Sequence, residues 1–126
     1  RDVFFEECED LIAALTEGLT AMRDGSTDSE TVNAVFRAVH SVKGAAGAFA
    51  LDDLVGFAHT FETVLDHVRS QRLALDDRIL HVLQRSGDIL ADLIETAREE
   101  LPTNSAQVDP VLADLQSFLG DTMPGR

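Results

Sequence analysis

The feature that most constrains this chain is the return of apolar residues every three or four positions through successive segments, the spacing that puts one face of a helix into a core. In the first segment Phe4, Cys8, Leu11, Ile12, Leu15, Leu19 and Met22 share such a face, and Asp24-Gly25 supplies a stop, so a helix is expected over about 2–24. Ser26, Thr27, Asp28 and Ser29 offer N-cap oxygens for a second helix with Val32, Val35, Phe36, Val39, Val42, Ala46 and Phe49 inside, running to about Ala50. With Asp52 as N-cap, Leu54, Phe57, Ala58, Phe61, Val64, Leu65 and Val68 make a third, ending near Arg72. Asp76 caps a fourth, whose stripe of Ile79, Leu80, Leu83, Leu90, Leu93, Ile94 and Ala97 continues toward Leu101. After a break at Pro102, Asp109 reads as an N-cap with Pro110 at the first helical position, opening a shorter fifth helix through Val111, Leu112, Leu115, Phe118 and Leu119. Short connections favour antiparallel neighbours. The expected fold is all-α, an antiparallel up-down four-helix bundle with an additional C-terminal fifth helix over residues 1–120, and residues 121–126 read as a linker.

One segment is not explained by core packing. Along the flank of the second helix, His40, Lys43, Gly44 and Gly47 follow the helical i, i+3, i+4, i+7 rule and should meet water. Glycine inside a helix costs about 1 kcal/mol relative to alanine, and Ala45, Ala46 and Ala48 show that alanine is readily used here. A functional reason is clearance: a side chain one turn beyond His40 would block a partner from the imidazole, while Lys43 sets a positive charge beside it. The structural alternative is that both glycines admit a closely packed helix and His40 is an ordinary surface histidine. On the third helix, His59, Glu62 and Asp66 share a mostly polar face, which by itself reads as a solvated one.

The string His40-Ser-Val-Lys-Gly-Ala-Ala-Gly-Ala-Phe49 resembles the phosphoacceptor signature of histidine phosphotransfer (HPt) domains, most of all the N-terminal domain of CheA-type chemotaxis kinases, and the resemblance runs from about residue 3 to about residue 100. It implies a carrier in which His40 is phosphorylated by a CheA-type kinase catalytic domain and passes the phosphoryl group to an aspartate of a CheY- or CheB-like response regulator. It further implies that Glu62, 22 residues beyond His40, accepts a hydrogen bond from Nδ1 and leaves Nε2 as the nucleophile. Lys43 would stabilise the phosphoryl oxygens, and His59 would be an auxiliary member of the cluster. Gly44, Gly47, Arg37, Ser41 and Ile12 are the expected partner-binding positions. No nucleotide-binding motif is found, so ATP and Mg²⁺ would be used by the kinase and regulator partners, and the chain would be no enzyme on its own but a monomeric piece of a protein-histidine kinase.

Composition narrows the alternatives. Ten basic against 23 acidic residues give a formal charge of −13, and there is no Trp or Tyr, which argues against nucleic acid and anionic membranes as partners. Apolar residues are 44% of the chain, enough for a real core. No apolar run approaches the roughly 18 residues needed to span a bilayer, and the single Cys8 reads as core filler, so a reducing cytoplasm is expected. A metal-binding bundle using His40, His59, Glu62 and His67 or His81 is the runner-up, but bundle metal sites need ligands converging on the interior and these lie on flank stripes. A helical interaction module without chemistry would leave the glycines unexplained.

Overall fold

In the computed structural model, which describes residues 2–120, the chain forms five helices: α1 Asp2–Arg23, α2 Ser29–Ala48, α3 Asp52–Arg69, α4 Asp77–Arg98 and α5 Ser105–Gly120. Among the described residues there is no strand. The 121–126 linker lies outside the described residues. Around the bundle α1 packs on α2 and α4, α3 packs on α2 and α4, and α5 lies against α3 and α4. The short links between consecutive helices make neighbours antiparallel, and α5 leaves the outer flank of α2 uncovered.

The helix ends are chemically marked. Asp28 caps α2 by accepting from the Thr31 amide at 3.2 Å and its hydroxyl at 2.8 Å, and Asp76 caps α4 by accepting from the Ile79 amide at 2.8 Å. Asp52, expected to cap α3, is instead its first helical residue; the preceding Leu51 has no side-chain acceptor, and Asp52 and Asp53 act through their charge on the first turn. Helices α1 to α4 all close with paired 6→1 and 5→2 backbone bonds, as in Ser26 N–H to Ala21 O and Gly25 N–H to Met22 O. The left-handed residue of this closure is Gly25 after α1, but Ala50, Gln71 and Glu100 after the other three.

Helix α5 begins before Pro110, not at it. The Asn104 carbonyl accepts from the amides of Gln107 and Val108, so Asn104 caps the helix and Pro110 stands inside it. The missing proline N–H deprives the Ala106 carbonyl of its donor, and because Ala106 is exposed that carbonyl is left to water. Most of the expected core is buried, including Phe4, Leu15, Met22, Val39, Phe57, Phe61, Leu83, Leu90 and Leu115. Several residues placed inside by their spacing are only half-buried at the edge of the core, among them Leu11, Ile12, Phe36, Leu80, Ala97 and Leu112, and Phe49 is 42% exposed with its ring tilted against Phe4 at 5.1 Å. Phe49 is the C-cap of α2, where the helical course that would carry it inward has ended. Cys8 is fully buried, and burial pushes its thiol up to about 11, as expected of core filler.

Candidate functional site

The turn between α2 and α3 builds the site. Two antiparallel helices joined at Phe49–Leu51 bring together residues equally far from the turn, and Leu51 lies midway in sequence between His40 and Glu62. His40 Nδ1 is hydrogen-bonded to Glu62 Oε2, and Lys43 Nζ donates to Glu62 Oε1 at 2.7 Å. One carboxylate thus spans two residues of α2 that are three positions apart and share its flank.

Burial divides the roles. The Glu62 side chain is 11% exposed, so it is not on a solvated face as its polar neighbours suggested, whereas the His40 side chain is 61% exposed. Burial alone would raise the Glu62 pKa, but hydrogen bonds and positive charge from Lys43 and His40 outweigh it and hold the carboxyl below its ordinary value. Glu62 is therefore a carboxylate, which only accepts, and the shared proton must belong to His40 Nδ1. The other ring nitrogen, Nε2, keeps its lone pair in the neutral imidazole and makes no hydrogen bond among the described residues.

Lys43 is the chain's only lysine among ten basic residues, and its side chain is 24% exposed. Its ammonium, expected beside the incoming group, is bound in this state to Glu62, where a compact charge with three rotatable donors can hold one bond and keep others available. A Cβ built on Gly44 or Gly47 meets nothing within 4 Å among the described residues. Close helix packing therefore does not account for either glycine, and the space next to His40 is open. Glycines that do serve packing lie elsewhere: a Cβ on Gly18 would come to 2.5 Å of Val35 Cγ2, and one on Gly87 to 2.7 Å of Leu19 Cδ1.

The remaining candidates scatter. His59 is exposed one turn before Glu62, and among the described residues its ring makes no hydrogen bond to His40, Lys43 or Glu62. Arg37 and Ser41 are exposed on α2 beside His40, while Ile12 is half-buried on α1. No group of three or more His, Cys, Asp or Glu side chains that could hold a metal ion occurs among the described residues, and both oxygens of Glu62 are already engaged by His40 and Lys43. No helix of the described residues is long and apolar enough to cross a membrane.

Known proteins resemble this chain over nearly its whole length. The sequence model of the Hpt domain matches residues 1–116. The chain is 50% identical over 124 residues to the chemotaxis protein CheA of Rhizobium meliloti and 48% identical over 129 residues to that of Cereibacter sphaeroides, covering 98% and 100% of itself. It spans only 16% and 19% of the lengths of those two relatives. In fold it is similar to the phosphorylated P1 domain of CheA3 from R. sphaeroides, solved in complex with CheY6, with a TM-score of 0.85 at 24% identity over 97% of this chain and 96% of that one.

Proposed function

The chain belongs to the Hpt domain family, and from that premise we propose that it is a phosphoryl carrier of a chemotaxis two-component pathway, with His40 as the acceptor. The observation that carries this reading is the buried Glu62 carboxylate, bonded through one oxygen to His40 Nδ1 and through the other to Lys43, beneath an imidazole side chain that is 61% exposed.

In the proposed reaction the Nε2 lone pair attacks the γ-phosphorus of ATP held by a CheA-type kinase domain. The Nε2–P bond forms, the P–O bond to ADP breaks, and the positive charge that develops on the ring is balanced by Glu62 through Nδ1–H. Phosphoryl transfer asks a protein mainly for positioning and charge compensation, and Lys43 can offer its free donor directions to the phosphoryl oxygens. In the second half the Nε2–P bond breaks and a carboxylate oxygen of an aspartate on a CheY- or CheB-like regulator takes the group, returning His40 to the neutral ring. Gly44 and Gly47 leave room for both partners. The ATP and Mg²⁺ belong to those partners, so the chain acts as substrate and carrier in the cytoplasm, and turnover belongs to the kinase domain of its parent.

The test is incubation of the chain with ATP and a CheA-type kinase core. Acid-labile, base-stable label should appear on the wild type and be absent from His40→Gln, whose far-UV CD should be unchanged because the imidazole stands on an exposed flank. Label that survives His40→Gln, or wild type that takes none, overturns the reading.

A further inference from the structure

Glu62 fixes one edge of the His40 ring, but a single hydrogen bond to a carboxylate leaves the ring free to tilt, since the torsion about Cβ–Cγ is broad for an imidazole. One turn back on α2, the Phe36 ring lies nearly parallel to it, at 9° with centroids 6.1 Å apart. Phe36 was counted for the core by its spacing, yet it is only half-buried. The last residue of α3 covers it: the Arg69 guanidinium carbon stands 3.8 Å from the centroid of the Phe36 ring, and Arg69 Nη2 donates to Asp66 Oδ1 at 2.6 Å. Phe36 and Arg69 face each other across the same antiparallel register that pairs His40 with Glu62.

We propose that Phe36, held in place by Arg69 and through it by Asp66, is a second positioning residue for His40, limiting the tilt of the imidazole on the side that Glu62 does not hold. The inference rests on the reading of His40 as phosphoacceptor. Neither side chain touches the reacting phosphorus; they act through the ring. A guanidinium left over a ring at a partly exposed position is a weak but oriented contact, consistent with a two- to five-fold influence on rate. Three features argue that the contact is more than surface filling. The ring is nearly parallel to the imidazole, the guanidinium carbon lies over the ring 3.8 Å from its centroid, and Asp66, which binds the guanidinium, lies one turn beyond Glu62 on the same helix.

The experiment compares wild type, Arg69→Gln, Phe36→Leu, the double variant and Phe36→Tyr in the 126-residue chain. Each is phosphorylated both by the kinase core with ATP and by phosphoramidate, whose P–N bond breaks with ammonia leaving as the Nε2–P bond forms. The carbon-bound ring protons of His40 are followed by NMR. Arg69→Gln and Phe36→Leu should each slow acceptance about two- to five-fold with both donors. The double variant should be no slower than Phe36→Leu, Phe36→Tyr should restore the rate, and Arg69→Gln should move the His40 ring signals. Wild-type rates with both donors in Arg69→Gln and Phe36→Leu overturn the proposal. So does slowing with the kinase alone, which makes the pair a docking contact. If wild type accepts from neither donor, the carrier reading itself has failed. The ring signals of Arg69→Gln then still decide whether Phe36 and Arg69 orient the imidazole. Because Phe36 is half-buried, CD and the exposed Arg69 variant separate a positioning effect from unfolding.

Discussion

Glu62 is the residue on which the geometry of the candidate site turns, because it holds a ring and an ammonium at once from a buried position. Glu62→Gln keeps the shape but replaces a carboxylate with a neutral amide, so phosphorylation of His40 should slow by no more than the worth of one charge-assisted hydrogen bond, about 1.5–3 kcal/mol. Initial rates with the kinase core check this, and rates equal to wild type would remove Glu62 from the site. The same substitution should alter the response of stability to acid. A carboxyl held below its ordinary value of 4.5 in the folded state adds stability above that pH, and the contribution is lost as pH falls through the depressed folded-state value. Urea unfolding should therefore show wild type more stable than Glu62→Gln near neutrality. The gap should shrink as pH falls below about 4.5 and close below the depressed folded-state value, where both proteins carry a neutral group.

At the scale of the helix, glycines with the same intrinsic cost should answer oppositely to alanine. Gly44→Ala adds a methyl group to open space and should raise stability by up to about 1 kcal/mol, through reduced chain entropy and better helix propensity. In Gly18→Ala the new methyl meets the stiff, fully buried Val35 side chain at 2.5 Å. Overpacking should exceed the propensity gain there and leave a net loss of about 1–2 kcal/mol. Urea midpoints moving in the same direction for both variants would contradict the assignment of clearance to one glycine and packing to the other. The helix ends give a further expectation. Gln71 holds a left-handed conformation at φ 65° to close α3, so Gln71→Gly should stabilise the domain by up to about 1 kcal/mol without touching the site.

For the molecule as a whole, α5 closes the bundle on the α3 and α4 side and leaves the flank of α2 uncovered. It buries Val111, Leu115, Phe118 and Leu119 against α3 and α4, and each such side chain is worth at most about 1.5–3 kcal/mol relative to exposure. Ending the chain before Ser105 should therefore remove an amount comparable to the whole stability of a small domain, about 5–15 kcal/mol, although no residue of the site is deleted. Loss of the cooperative urea transition would be the sign, and an unchanged midpoint would mean that the four-helix core stands alone. The fifth helix thus supports the site from a distance, while the α2 flank carrying Arg37, His40 and Lys43 remains open on a chain of net charge −13.

The helices were legible in the residues alone, because burial of one face at a fixed angular period is a local property that residues such as Leu15, Val39 and Leu90 declare without reference to neighbours. So were the His40 segment, whose glycines stand out against adjacent alanines, and the interval to Glu62, which a short turn between antiparallel helices converts into proximity. How flank residues meet depends instead on the packing of one helix against the next. A helical period says which residues share a face but not how the next helix is rotated about its axis. The burial of Glu62, the attachment of Lys43 to it and the placement of the Arg69 guanidinium over the Phe36 ring were thus invisible in either helix alone. The start of α5 escaped for a related reason. Asn104 acts as a cap through its backbone carbonyl, and Pro110 could remain inside the helix because the carbonyl it deprives faces water. Local chemistry therefore set the elements and marked the site, and the register between α2 and α3 set which atoms touch.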